Sequence, residues 1–215
     1  MKGFTVHTSI PSQGIGTGCE ARAVLRALPP PRPRKTKVAY LNLMLGLLCL
    51  LIAGSVQAAQ GRLKVAATLS TFADLAKQIG GEQVEVSQIA PPRFDPHFID
   101  PRPSDVLKVK KADLFIHAGL DLEAWRGPLL DAAGNPHAFP DGKGELDLSR
   151  GIRLLEVPTR PVSRLQGDIH IFGNPHHWLE PNNVRVMAQA ICDKLCVLDP
   201  AHEQEYRRNL KEFLD

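Results

Sequence analysis

Strand-like and helical stretches alternate from Leu63 to Ala133, and two proline-stiffened loops that carry histidines each follow a strand-like segment. With about 157 residues left once an N-terminal leader is set aside, one domain with a proper core is predicted. The fold class is α/β: a single lobe with a four-stranded, mostly parallel sheet flanked by helices, ending in a helix cut in mid-stride.

Residues 1–58 stand apart from that pattern. They carry seven Lys/Arg and one acid, the run Pro29 to Lys35 has neither helical nor strand period, and an apolar stretch from Val38 to Ala53 follows Lys37. A basic segment, an apolar core and small residues at Val56 and Ala58 predict a secretory signal cleaved after Ala58. The apolar run is shorter than the roughly 20 residues a membrane span needs. The leader is longer than export requires, so the expected start lies downstream of Met1, near Arg34 to Val38. Leu48 precedes Cys49 where a lipid-attachment signal wants a small residue, so no lipidation is expected there. Without the leader the net charge is −3, which gives no electrostatic footprint for nucleic acid.

Leu63 to Thr68 reads as a short buried strand, with Ser70 and Thr71 as candidate caps of a helix from about Phe72 to Ile79 that Gly80-Gly81 ends. Val84, Val86 and Ile89 mark a second strand. Five prolines between Pro91 and Pro103 keep the next segment out of helix and sheet. Ser104 is placed as the cap of a helix to about Lys111, and Asp113 to Ala118 forms a third strand. Leu122, Trp125 and Leu129 recur at helical spacing up to about Ala133. Arg153 to Val157 is taken as the fourth strand. Val184, Met187, Ile191, Leu195 and Leu198 define a long helix from Asn182, its expected cap, to Leu198. Asp199-Pro200 breaks it, and a last helix runs from near Ala201 with Tyr206, Leu210 and Phe213 or Leu214 on one face. Cys192 and Cys196, four apart on one helix, read as small buried residues and not as a disulfide.

The densest chemistry lies between Gly167 and Pro181, where His170, His176 and His177 fall within eight residues. Pro175 and Pro181 flank His176 to Glu180 and are expected to hold that stretch extended. Neutral imidazoles on a stiff segment suit zinc and other first-row divalent ions. His97 sits in the other proline-stiffened loop, after the second strand. In open parallel sheets ligands bind in the crevice outside the carboxyl ends of the strands, which both loops reach.

These two loops resemble those of the periplasmic zinc/manganese solute-binding proteins of ABC importers. Ala90-Pro91-Pro92 through Asp95-Pro96-His97 and on to Pro101-Arg102-Pro103-Ser104-Asp105 is similar to the family's first metal-ligand loop. Asn174 to Pro181 resembles its second, with the pattern His, any residue, Trp, Leu, acid, Pro. Asp199-Pro200 followed by Tyr206, Asn209 and Leu214 resembles the start of the helix that joins the family's two lobes. The resemblance implies His97 and His176 as metal ligands, Trp178 and Leu179 packed behind the loop, Zn2+ or Mn2+ as the transported ligand, a periplasmic location and an importer permease as partner. It also implies two lobes, the second supplying a His or Glu and an Asp. Residues 59–199 then form the metal-binding lobe and 200–215 a truncated inter-lobe helix, with exposed apolar surface expected at Tyr206, Phe213 and Leu214.

His170 and His177 are secondary candidates, and strand-like alternation turns His177 away from His176. His117, inside the third strand, reads as a core or sheet-edge residue, and His137 and His202 as solvated. Two other functions compete with the receptor reading. A zinc-dependent hydrolase would use Glu180 or Asp168 beside two histidines, but no His-Glu-x-x-His helix accompanies them and no nucleophile sits beside a base, so no enzyme is expected. An adhesion or interaction module that has lost metal transport is the third.

Overall fold

The computed structural model describes residues 61–160, 162 and 170–215, together with Tyr40 and Met44. The leader with its cleavage site and downstream start, Cys49, and Asp168 lie outside the described residues, apart from Tyr40 and Met44. Four parallel strands, β1 (Leu63–Ala67), β2 (Val84–Gln88), β3 (Leu114–His117) and β4 (Glu145–Asp147), lie in the order β2-β1-β3-β4. Helix α1 (Ser70–Gly80) follows β1, α2 (Pro103–Lys110) follows β2, and α3 (Arg126–Ala133) follows β3; α4 (Pro181–Leu198) and α5 (Glu203–Leu214) complete the chain. Among the described residues no helix is long and apolar enough to cross a membrane.

The period of two in a strand sorts the core into two layers. Val65 and Ala67 of β1 and Leu114 and Ile116 of β3 face α1, α4 and α5, where they meet Phe72, Ile79, Met187, Ile191, Leu195 and Tyr206. Ala66 and Phe115 face the other way, onto Val109 of α2 and Leu129 and Leu130 of α3. Apolar residues on both sides of the central strands β1 and β3 are what a sheet covered on both faces requires. Truncating a fully buried side chain such as Leu195 costs about 2–5 kcal/mol.

Prolines set the entries of α2 and α4. Each places Pro at the first helical position, where its missing N–H costs nothing, and the residue before it is driven extended and becomes the cap. Asn182 and Ser104 therefore lie inside first turns. Glu180, not Asn182, caps α4, accepting from the Asn183 N–H at 2.9 Å, and Asp105 accepts from the Arg102 N–H at 3.0 Å. Helix α1 begins at Ser70 itself, without a side-chain cap.

The fourth strand is Glu145–Asp147, not Arg153–Val157. The Leu-Leu-x-Val pattern at 154–157 belongs to a loop that crosses the carboxyl end of the sheet, where the Leu155 carbonyl accepts from the Asn174 N–H at 2.8 Å. Leu155 and Val157 are accordingly exposed. The last helix does not stand away from the lobe. Tyr206 is fully buried and Phe213 and Leu214 pack partly against the main core. Asn209 Nδ2 donates to the Ile79 carbonyl at 3.0 Å, and Tyr206 Oη donates to Asp199 Oδ2 at 2.6 Å. Asp199 also takes His202 Nδ1 at 2.6 Å, so His202 is half-buried, not solvated. His137 is exposed. Cys192 and Cys196 are buried free thiols, and burial pushes the Cys192 thiol up to about 12.

Candidate metal centre

The chain reverses direction across the sheet between β1, which connects to β2 on one side, and β3, which connects to β4 on the other. The carboxyl ends at this switch point leave a crevice. An open cleft of about 520 Å3 lies there, lined by Asp95, Pro96, His97, Glu156, His170, Gly173, Asn174, His176 and Trp178.

His97 comes from a 3-10 turn at Pro96–Phe98, started by Asp95, whose carboxylate accepts the His97 N–H at 2.9 Å. The same Asp95 oxygen lies 2.6 Å from His97 Nδ1. That pair of contacts, the backbone one first, holds the Asp95 carboxyl below its usual range. Trp125 Nε1 donates to the Pro96 carbonyl at 2.7 Å and ties the loop to the α3 side.

His176 enters from the other side. Asn174 Oδ1 accepts its N–H at 2.9 Å, and the ring lies 5.1 Å, centre to centre, from His97. Burial first, then the neighbouring His97 and His170, lowers the pKa of His176. His170 joins them, its Nε2 3.2 Å from His97 Nε2 and its ring 5.7 Å from that of His176. One nitrogen from each of the three rings lies within 4.8 Å of the others. Asp121 approaches His170 from behind, 3.0 Å from Nδ1.

His177 stays out of the cleft. It is buried, and its Nε2 lies 2.9 Å from the Ala118 carbonyl. The cause is not strand alternation, because His177–Leu179 form a 3-10 turn where an extended segment was expected. That turn sends Trp178 inward, edge-on to Phe72 at 5.9 Å, while Leu179 is 74% exposed, not packed behind the loop. Glu180 is occupied as the α4 cap. His117 lies in the core, as its place in the third strand predicted.

Three carboxylates around the cleft were not singled out from the sequence: Asp95, Asp121 and Glu156. Asp95 lies two residues before His97, a spacing an Asx turn favours, and was legible in principle. Nothing local marks Asp121, 49 residues from His170. Glu156, bonded to Asn174 Nδ2 at 3.0 Å, has a positive φ of 55°, which its residue type does not announce.

Residues 65–215 match the family model described as "Zinc-uptake complex component A periplasmic" (ZnuA). The chain belongs to this family. Among ZnuA relatives, the manganese ABC transporter substrate-binding lipoprotein PsaA of Streptococcus mitis is 31% identical over 83% of this chain and 55% of its own length. The metal ABC transporter substrate-binding lipoprotein FimA of Streptococcus parasanguinis is 31% identical over 82% of this chain and 54% of its own. The crystal structure of the metal-dependent lipoprotein YcdH from Bacillus subtilis shares 27% identity at a TM-score of 0.57, covering 71% of this chain and 50% of that one. A zinc-bound ZnuA deletion mutant shares 29% at 0.57, covering 71% and 53%. The chain thus spans about half the length of the ZnuA relatives it matches.

Proposed function

We propose that this chain is the metal-capturing lobe of the extracytoplasmic solute-binding component of an ABC importer, and that His97 and His176 hold its cargo, Zn2+ or Mn2+. The observation that carries this reading is the meeting of His97 and His176, 79 residues apart on two separate loops, at the carboxyl ends of the sheet with ring centres 5.1 Å apart. Family membership and the metal-transport names of PsaA and FimA support it. The partner is the importer's permease at the membrane, and the location is periplasmic or otherwise extracytoplasmic.

Binding is favoured over hydrolysis because Asp95 and Asp121 are engaged by imidazole Nδ1 atoms and Glu180 by a helix start, which leaves none of them placed to activate water. Calorimetric titration of the full chain with zinc and with manganese tests the reading. His97→Ala and His176→Ala are each expected to remove most binding, and a panel of ester, peptide and phosphate substrates is expected to show no turnover. Metal binding unchanged in both variants would place the site elsewhere.

A further inference from the structure

The geometry points to His170 as a third donor to the same ion, held in place by Asp121 as a positioning residue, and to a site that prefers zinc over manganese. This rests on the reading of His97 and His176 as cargo ligands.

The argument begins with where the protons are. A neutral imidazole has one N–H and one lone pair, and a carboxylate only accepts. With Asp95 Oδ1 2.6 Å from His97 Nδ1, that nitrogen carries the proton and Nε2 carries the lone pair. Asp121 Oδ1, 3.0 Å from His170 Nδ1, imposes the same tautomer there. The two Nε2 atoms then face each other at 3.2 Å with a lone pair on each. Two lone pairs at that distance repel unless a positive centre lies between them. A zinc ion with Zn–N bonds of 2.0–2.1 Å and tetrahedral angles needs donor nitrogens about 3.3 Å apart, which the observed spacing meets. His176 provides a third corner, with one nitrogen within 4.8 Å of both. A proton on one ring would also relieve the repulsion, and the experiment below separates the two.

Asp121 is built for this task. Its carboxylate is 5% exposed, against 57% for Asp95, and its second oxygen reaches the Ile171 N–H at 3.4 Å, so it braces both the ring and the backbone that carries it. The turn before it is strained. Gly119 has φ +78°, and a Cβ there would collide with the Asp147 side chain; Leu120 has φ +52°, unusual for any residue but glycine. Buried Glu123 holds the turn down by accepting from the Ala118 N–H at 2.8 Å and from Thr68 Oγ1 at 2.6 Å. Strain retained by an over-determined loop is a mark of a positioned side chain. Three neutral imidazoles then set the choice of metal, since nitrogen donors suit zinc whereas manganese is better served by carboxylate and water.

The test titrates zinc chloride and manganese chloride into the full chain by calorimetry and reads the His170 ring tautomer by nitrogen-15 NMR. The unaltered chain is expected to bind zinc more tightly than manganese. His170→Ala is expected to weaken zinc by at least the ~10–100-fold that loss of an outer partner costs, and His170→Asp to narrow the zinc–manganese gap. Asp121→Ala is expected to weaken zinc about 10–100-fold and to mix the tautomers, while Asp121→Asn, whose amide oxygen still accepts from Nδ1–H, restores part of both. Unchanged zinc affinity in His170→Ala, with His97→Ala and His176→Ala both defective, overturns the third donor and assigns the short contact to a proton, leaving the two-histidine reading intact. Equal affinity for manganese overturns the selectivity. Loss of zinc in Asp121→Ala with the His170 tautomer unmoved overturns the positioning role. If no histidine variant mattered, the underlying cargo site would fall instead.

Discussion

His117, Glu145 and Asp147 bring an imidazole and two carboxylates as close together, within 4.8 Å, as His97, His170 and His176 bring three imidazoles. The first cluster lies inside the sheet, on β3 and β4, and its charges are already matched. His117 Nε2 is 2.7 Å from Glu145 Oε1, Arg126 Nη1 is 2.9 Å from the same nitrogen, and Arg150 Nη2 is 3.8 Å from Glu145 Oε2. Asp147 Oδ1 takes the Ser149 N–H and hydroxyl. One imidazole nitrogen cannot both donate to Glu145 and accept from Arg126. The shorter contact to the carboxylate takes the proton, which leaves buried His117 Nδ1 as a bare lone pair, less costly than an orphaned N–H. Two guanidiniums occupy the electrostatic place of a cation there. In the cleft Asp95 and Asp121 sit behind the rings, the remaining nitrogens of His97 and His170 point at one another, and no Lys or Arg lines the space among the described residues. The same residue types thus make a sheet clamp in one place and the proposed cation site in the other. What separates them is where the lone pairs and the compensating charges lie.

Substitutions sharpen that contrast. The largest expected effect on folding is His117→Ala, which strands buried Glu145 beside its arginines and empties a core position. It is expected to cost about 3 kcal/mol, read from urea unfolding, with zinc stoichiometry unchanged. A folded His117→Ala chain that lost zinc would break the comparison. His177→Ala comes next. It removes one buried hydrogen bond, to the Ala118 carbonyl, and is expected to cost about 1–2 kcal/mol while harming zinc binding far less than His176→Ala. Equal damage to zinc affinity would mean that the wrong histidine of the adjacent pair has been assigned to the cleft.

Much of the fold was legible because periodicity and burial agree. Leu63 to Thr68 and Asp113 to Ala118 are apolar on both faces, as strands between two helical layers must be, and α4 keeps its stripe from Met187 to Leu195. The fourth strand was not legible. Only Leu146 of its three residues is apolar, and Glu145 is buried there because His117, distant in sequence, receives it. The apolar residues at 154–157 form a better strand pattern and pair with no strand among the described residues. His97 and His176 could be named in advance because proline-stiffened loops that resemble the family's two ligand loops carry them, although the strand expected just before the second loop is not one. His170 could be named only as a secondary candidate, level with His177, and its support by Asp121 could not be foreseen, since the contact depends on a strained turn at Gly119-Leu120 after β3. The packing of Tyr206 was misjudged for a related reason: an apolar stripe shows that a helix has a partner, not which surface supplies it.

Acid should take the two clusters apart in sequence, because each holds a group shifted below its ordinary value. His176 is lowered from 6.5, chiefly by burial and then by its histidine neighbours. Its neutral form, the one proposed to bind metal, therefore persists somewhat below 6.5, and the stability linked to it is present above that value and lost as pH falls through the folded one. Burial alone would raise Glu145 above 4.5, but the hydrogen bond from His117, with the charges of Arg150 and Arg126 beside it, outweighs burial and lowers the carboxyl. Its contribution is present above 4.5 and is lost as pH falls through its folded value. Asp95 and Glu180 shift the same way but are exposed and contribute little. Lowering the pH below 6.5 should therefore weaken zinc binding first, while the urea midpoint of the metal-free chain changes only slightly. The midpoint should drop steeply only below 4.5. Glu145→Gln is expected to flatten that second fall and to leave the zinc curve in place, whereas His176→Ala should do the reverse. If Glu145→Gln moved the zinc curve, the two clusters would be coupled through the β3–β4 edge, and the separation argued from their charges would not hold.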